Sequence, residues 1–297
     1  MSKDYARDDK IWLPARITAG VIIPVLTAAF VILFGFPTHT KALWAWTIKS
    51  PMSAMFMGAG YISGAYLFVR VVTREEWRRV DHAFIPVTVF ATMLGIGTFV
   101  HWDKFNHHHV SFFAWVLLYV TTPFLLPWLW WQNKRVDPLT PEPGDREVPL
   151  PIRRIMAVAG AGQLAFAMVM FFRPTAIIPH WPWMLTPLTC RSLSAYAAFP
   201  AVGYLYFAFE KRWSALEILI EIPMIALPMI GIAAIRAHAE FGGGAGLVWG
   251  WRIGLVVAWV ALAALWVAMR RPLVALPREE VGEPARVPVQ AAEEPSQ

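Results

Sequence analysis

The sequence predicts an all-α integral membrane protein of eight transmembrane helices, arranged as two tandem four-helix repeats. Three observations carry this. The 297 residues are 57% hydrophobic and 15% charged, with mean hydropathy +0.49, against about 25% charged in soluble domains. The charges are segregated into short stretches between eight apolar runs. And the second half repeats a spaced set of residues of the first. A barrel's alternating pattern is absent, and in lipid an apolar run must satisfy its own backbone groups, so each run is a helix.

The runs fall at 17–36, 52–73, 83–101, 111–132, 155–172, 184–209, 215–235 and 247–269, each long enough to cross roughly 30 Å of hydrocarbon. The first follows a charged leader (Lys3, Arg7, Lys10, Arg16) and has no small-residue cleavage site after it, so it reads as a retained span. The second opens on Pro51 and holds Gly58, Gly60 and Gly64; Gly95 and Gly97 mark the third, Gly160 and Gly162 the fifth. Small residues at these spacings let helices approach closely, here within one chain. The sixth contains Arg191, and the seventh contains Glu217, Glu221, Pro223 and Pro228.

Of the 26 Lys and Arg residues, nineteen fall on the side holding both termini and the 2–3, 4–5 and 6–7 loops, six on the other side, and Arg191 within a span. By the positive-inside rule both termini are cytoplasmic, in the cell membrane. The pI of 9.6 is thereby a topology signal and nucleic acid is excluded as a partner. Trp44, Trp46, Trp102, Trp181, Trp183, Trp249 and Trp251 gather at the outer ends of spans, and Trp77, Trp128, Trp130, Trp131, Trp213 and Trp266 at the inner ends. This pattern predicts interfacial belts.

At a shift of 137, Arg16 falls on Arg153, Phe34 on Phe171, Trp44 on Trp181 and Trp46 on Trp183; at 136, Pro51 falls on Pro187, Trp77 on Trp213, Phe105 on Phe241, Trp115 on Trp251 and Trp130 on Trp266. Chance would supply roughly a third of one Trp–Trp coincidence, and five occur. Four helices per copy is an even number, so the copies share one orientation, related by an axis along the membrane normal. The expected organisation is residues 1–135 and 153–271 as repeats, 136–152 as an exposed Pro-rich linker, and 272–297 as a disordered cytoplasmic tail.

Ionisable groups inside spans are the candidate site. Glu217 and Glu221 share one face of the seventh span, and Arg191 lies inward from the outer end of the sixth; the repeat partners of Glu221 and Arg191 are apolar Ile85 and Met55. An Arg191–Glu221 pair, direct or bridged, is expected between the repeats. A second constellation lies in the outer loops: His101, Asp103, His107, His108 and His109, with His238 and Glu240 in the equivalent loop. Imidazole and carboxylate suit Zn, Cu or Ni, so His101, Asp103, His107, His109, His238 and Glu240 are candidate metal ligands, although adjacent histidines diverge and HExxH is missing. Cys190 stands alone, which rules out an intramolecular disulfide and a CxxC site. No Walker A, dinucleotide fingerprint or GxSxG is present, no span interior offers a lysine for retinal, and the histidines suit haem poorly.

The leading expectation is a transporter or small-ligand-binding membrane protein with its site between repeats near Arg191 and Glu221. The alternatives are a membrane-embedded enzyme or electron-transfer subunit with a metal or cofactor at the outer loops, and a structural subunit of a membrane complex or homo-oligomer. No cofactor follows from the sequence.

Overall fold

The computed structural model describes residues 9–74, 76–137, 145–242 and 244–270. The tail expected at 272–297 and the centre of the linker lie outside them. Among the described residues there are eight helices of eighteen residues or more: α1 (Leu13–Phe30, continued by a π-turn, Val31–Gly35), α2 (Pro51–Thr73), α3 (Asp81–Val100), α4 (Val110–Asn133), α5 (Leu150–Phe172), α6 (Pro187–Leu205), α7 (Trp213–Arg236) and α8 (Ala245–Arg270). They contain no sheet, only three isolated bridges. Seven of the helices are long and apolar enough to cross a membrane. The remaining one, α6, carries Thr189, Arg191, Ser192 and Ser194 in its first two turns and falls short in apolarity.

Local sequence sets the helix starts. α2 begins Ser50-Pro51 and α6 begins Thr186-Pro187. In each the hydroxyl accepts the backbone N–H three residues on, at 3.2 Å, and proline fills the first helical position, where no N–H is needed. Internal prolines leave carbonyls without their helical donor. Pro228 frees the Met224 carbonyl, which takes the Trp259 indole N–H of α8 at 3.1 Å.

Four helices form the centre. α2 packs on α7 and α3 on α6, while α1 covers α2, α5 covers α6, α4 covers α3 and α8 covers α7. Backbone proximity decides several of these contacts. A Cβ on Gly95 would meet the Tyr119 carbonyl of α4 at 2.8 Å, and one on Gly160 the Ala201 carbonyl of α6 at 2.8 Å. Gly97 and Gly162 face open space, so only one glycine of each expected pair mediates packing.

One face holds the N-terminal segment. There Asp9 accepts from Trp77 N–H through its carbonyl (2.6 Å) and from Arg78 through its carboxylate (2.5 Å). On the same face Arg146 accepts from Trp213 N–H at 2.9 Å, Asp145 takes the Ser214 hydroxyl at 2.6 Å, and Arg212 pairs with Asp137 at 3.0 Å. The end of the linker is therefore docked on the α6–α7 turn, with Val148 buried. The far face holds the α1–α2, α3–α4, α5–α6 and α7–α8 turns.

The tryptophans divide. Trp102, Trp128, Trp131 and Trp249 are exposed, as a belt requires, but Trp44, Trp46, Trp77, Trp183 and Trp213 are buried. The buried ones pack inside the protein because each turn folds inward over the helix ends. Trp46 meets Phe105 (5.1 Å) and Trp115 (4.8 Å), and Trp183 meets Phe241 (5.5 Å) and Trp251 (5.2 Å).

Candidate functional site

Two features lie at the centre of the bundle: a buried charge cluster toward the N-terminal face and a cavity beneath it. The cluster is built from α2, α7 and α8. Glu217 and Glu221 sit on one face of α7, 5% and 7% exposed. Arg70, in the last turn of α2 and 7% exposed, pairs with Glu221 Oε2, and the Tyr66 hydroxyl donates to the same oxygen at 2.7 Å. Arg270, at the end of α8, pairs with Glu217 and reaches Glu221 Oε1 at 3.1 Å, its guanidinium lying 4.1 Å over the Trp266 ring. Arg79 stands 4.0 Å from Glu217. Both carboxylates are thus held by guanidinium groups, the arrangement that makes burial of charge tolerable.

Arg191 and Glu221 are not brought together. Both carboxylate oxygens of Glu221 are taken, and Arg191 donates instead to His101 Nε2 at 2.6 Å on the far face. The charge count makes Arg70 one of the nineteen topology markers on the side of the termini. Its guanidinium in fact turns inward, one helical turn from Tyr66, which donates beside it. Arg70 and Arg270 are the site residues that sequence reasoning missed. Arg70 carried a signal, since it lies within the run 52–73.

The candidate metal ligands are dispersed. His101 is engaged by Arg191, Asp103 pairs with Lys104 at 2.5 Å, and His107 bonds the Trp102 carbonyl at 3.0 Å. His109 caps α4, accepting from Ser111 N–H at 3.2 Å, and His238 lies 3.2 Å from the Ile235 carbonyl. Glu240 accepts from the Ser50 hydroxyl at 2.5 Å and Met52 N–H at 3.0 Å, so it caps α2 from the other half of the chain. Among the described residues no three His, Cys, Asp or Glu side chains are grouped to hold a metal ion. Cys190 is buried, its thiol 3.6 Å from the Met170 carbonyl.

The cavity has a volume of about 290 Å³ and is walled by α1 to α8, every long helix contributing. Its wall is mostly aliphatic and aromatic, and no Asp, Glu, Lys, Arg or His lines it. Ile222 and Pro223 of α7, directly after Glu221, form part of its upper wall. Phe56, Phe90 and Tyr196 meet edge to face at 6.3 and 4.8 Å. A Cβ on Gly60 would lie 2.2 Å from the Tyr196 ring, so Gly60 is what lets this tyrosine cross from α6 to α2. Tyr61 and Tyr119 share a hydrogen bond of 2.9 Å. A mainly apolar concavity with few polar groups is the ordinary form of a small-molecule site.

No family model matches this sequence, and no curated protein or solved structure is detectably similar to it.

Proposed function

We propose that this multi-pass membrane protein binds a small, largely apolar molecule in the cavity between two like-oriented four-helix halves. The observation that carries the reading is the cavity itself: large, central, shared by both halves and free of charged lining. A structural subunit needs no such space, since interiors are normally close-packed. An enzyme or electron-transfer subunit with a metal in the outer loops has less support, because the six candidate ligands are engaged separately.

Support for the two halves comes from paired contacts that exchange when the halves are exchanged. α1 on α2 matches α5 on α6, α3 on α4 matches α7 on α8, and α2 on α7 matches α6 on α3. Single bonds follow the same rule. Asn106 N–H donates to the Ala45 carbonyl at 2.8 Å and Gly242 N–H to the Pro182 carbonyl at 3.2 Å. The bridge Lys10–Glu76 corresponds to Glu147–Arg212. In this reading α6 is an eighth span, polar because it is enclosed by α3 and α5, and the charge count puts both termini in the cytoplasm.

The transport form of the proposal needs the cavity to open toward the cytoplasm. The ion pairs of Glu221 with Arg70 and Arg270 are the contacts that would have to part. Arg191 then belongs to the far-face closure rather than to the Glu221 cluster.

The test is chemical. Purified full-length chain, extracted with organic solvent, should release an apolar species that mass spectrometry finds depleted when Ala226→Phe fills the cavity. Ala226 corresponds to Phe90 in the repeat, so the change copies a residue the bundle already accommodates. If wild type and variant, both folded, release the same species in the same amounts, the cavity is not the binding site.

A further inference from the structure

We infer that the molecule held in this cavity is an uncharged apolar compound presenting a hydrogen-bond acceptor, of the ketone, quinone or ester class, to the hydroxyl of Tyr196. The inference rests on the cavity being the binding site and adds what the occupant must offer.

The argument is an inventory of donors on the wall. Ser63 donates to carbonyls of its own helix, Gly60 at 2.9 Å and Ala59 at 3.1 Å. Thr122 donates to the Leu118 carbonyl at 2.6 Å, and the Gln163 amide to the Ala197 carbonyl at 2.9 Å. The two hydroxyl donors are spent, and one of the two Gln163 N–H donors is used. The Tyr61–Tyr119 pair uses one of its two hydroxyl hydrogens internally and leaves the other. The Tyr196 hydroxyl lies beside Tyr61 in that pair, close enough to interact but without a well-aligned hydrogen bond, and the Trp181 indole N–H, a donor only, is buried on the wall with no partner.

Buried donors are almost always satisfied, because an unmatched one forfeits its bond to water without replacement. Here the surplus is on the donor side, in a wall without charge. A carboxylate or phosphate would enter without a cation to meet it, which burial makes prohibitive. An ammonium would likewise enter without an anion to meet it. What fits is an uncharged acceptor oxygen, carried on an apolar frame that the rings of Phe56, Phe90 and Tyr196 can enclose. The same logic explains Gly60: only a residue without a side chain permits the Tyr196 ring to cross the interface and deliver its hydroxyl beside Tyr61.

Benzophenone and diphenylmethane test this, since they share a frame and differ by a carbonyl against a methylene. Benzophenone photolabelling of the detergent-purified full chain, read by peptide mass spectrometry, should saturate on α2, α4 or α6. Diphenylmethane serves as competitor. Tyr196→Phe, which keeps the ring, should weaken benzophenone about fivefold and leave diphenylmethane unchanged within about twofold, the size of one net hydrogen bond. Equal benzophenone affinity in wild type and Tyr196→Phe overturns the acceptor inference while leaving the cavity as a binding site. Absence of saturable labelling on those helices in wild type overturns the binding reading itself. Should Tyr196→Phe fail to fold, the wild type decides alone. Corrected for partition into protein-free micelles, benzophenone must bind about fivefold tighter than diphenylmethane, and equal affinities sink the proposal.

Discussion

Under the proposed repeat, two places on the N-terminal face correspond, and they differ in chemistry. Where α2 ends against α7 and α8, the chain has Arg70, Glu217, Glu221 and Arg270. Where α6 ends against α3 and α4, the matching positions are Tyr206, Asp81, Ile85 and Lys134. Part of the frame is common: Arg270 lies over Trp266 at 4.1 Å and Lys134 over Trp130 at 4.4 Å. An arginine–glutamate pair between the helices themselves belongs to one side only. On the other side Tyr206 packs against His82 at 4.6 Å, and the buried ion pair lies in the turns instead, Arg212 with Asp137 and Glu210. Burial alone would raise the Glu210 carboxyl, but bonds from the Arg212 side chain and backbone hold it below the ordinary carboxylate value. The matching helix positions thus accept either an interior charge pair or an aromatic with an aliphatic residue.

The largest effect should come from breaking that pair. Glu221→Ala leaves the buried Arg70 without its carboxylate, while Arg270 keeps Glu217, and should cost about 3–5 kcal/mol, read as a lowered thermal midpoint in detergent. Arg70→Tyr with Glu221→Ile rewrites the site with the residues of its counterpart, Tyr206 and Ile85, and should recover most of the loss. A double variant as unstable as Glu221→Ala would show that the two sites are not equivalent.

Next in size is the crossing at the centre. Gly60→Ala drives a Cβ into the Tyr196 ring and should cost about 1–3 kcal/mol. Gly162→Ala, facing open space, should be neutral or stabilising by up to about 1 kcal/mol. Equal effects at the two glycines would contradict the packing. Smaller again are the caps. Thr186→Ala should cost about 1 kcal/mol, and Ser50→Ala more, because Ser50 also donates to Glu240 across the halves at 2.5 Å.

Membrane class and helix positions were readable from the sequence because apolarity and length are one-dimensional properties. Every expected run lies largely within a long helix, and the helix starts carry their own signals in Ser50-Pro51 and Thr186-Pro187. The site was half readable. Glu217 and Glu221 stand out against apolar neighbours, but partner choice depends on rotation about helix axes, which depth cannot give. Opposite charge within neighbouring spans made Arg191 the expected partner of Glu221, whereas the packing of α2 on α7 brings Arg70. The cavity was not readable, since nothing in a run of apolar residues tells a packed wall from an unfilled one. Nor could sequence place Trp44, Trp46 and Trp183, whose turns fold inward instead of lying in the interface.

The far face differs from the N-terminal face in having an arginine answered by an imidazole instead of a carboxylate, and this gives the last and smallest prediction. His101 follows the last turn of α3 and accepts from Arg191 at 2.6 Å, which only the neutral ring can do. Burial, with the positive charge of Arg191 next in weight, lowers its pKa from the ordinary 6.5, against a weaker opposing pull from Asp103. Below 6.5 the unfolded chain takes up a proton that the folded one still refuses. Stability therefore rises with pH through the window between the lowered value and 6.5, is lost as pH falls through that window, and is level above it. Thermal midpoints of wild type and His101→Asn, measured from about pH 5 to 8, should diverge only in the acid part of the range. Wild type should lose the more there. A wild-type curve parallel to that of His101→Asn, or one falling as pH rises through that window, would show that the Arg191 contact does not depend on a neutral His101.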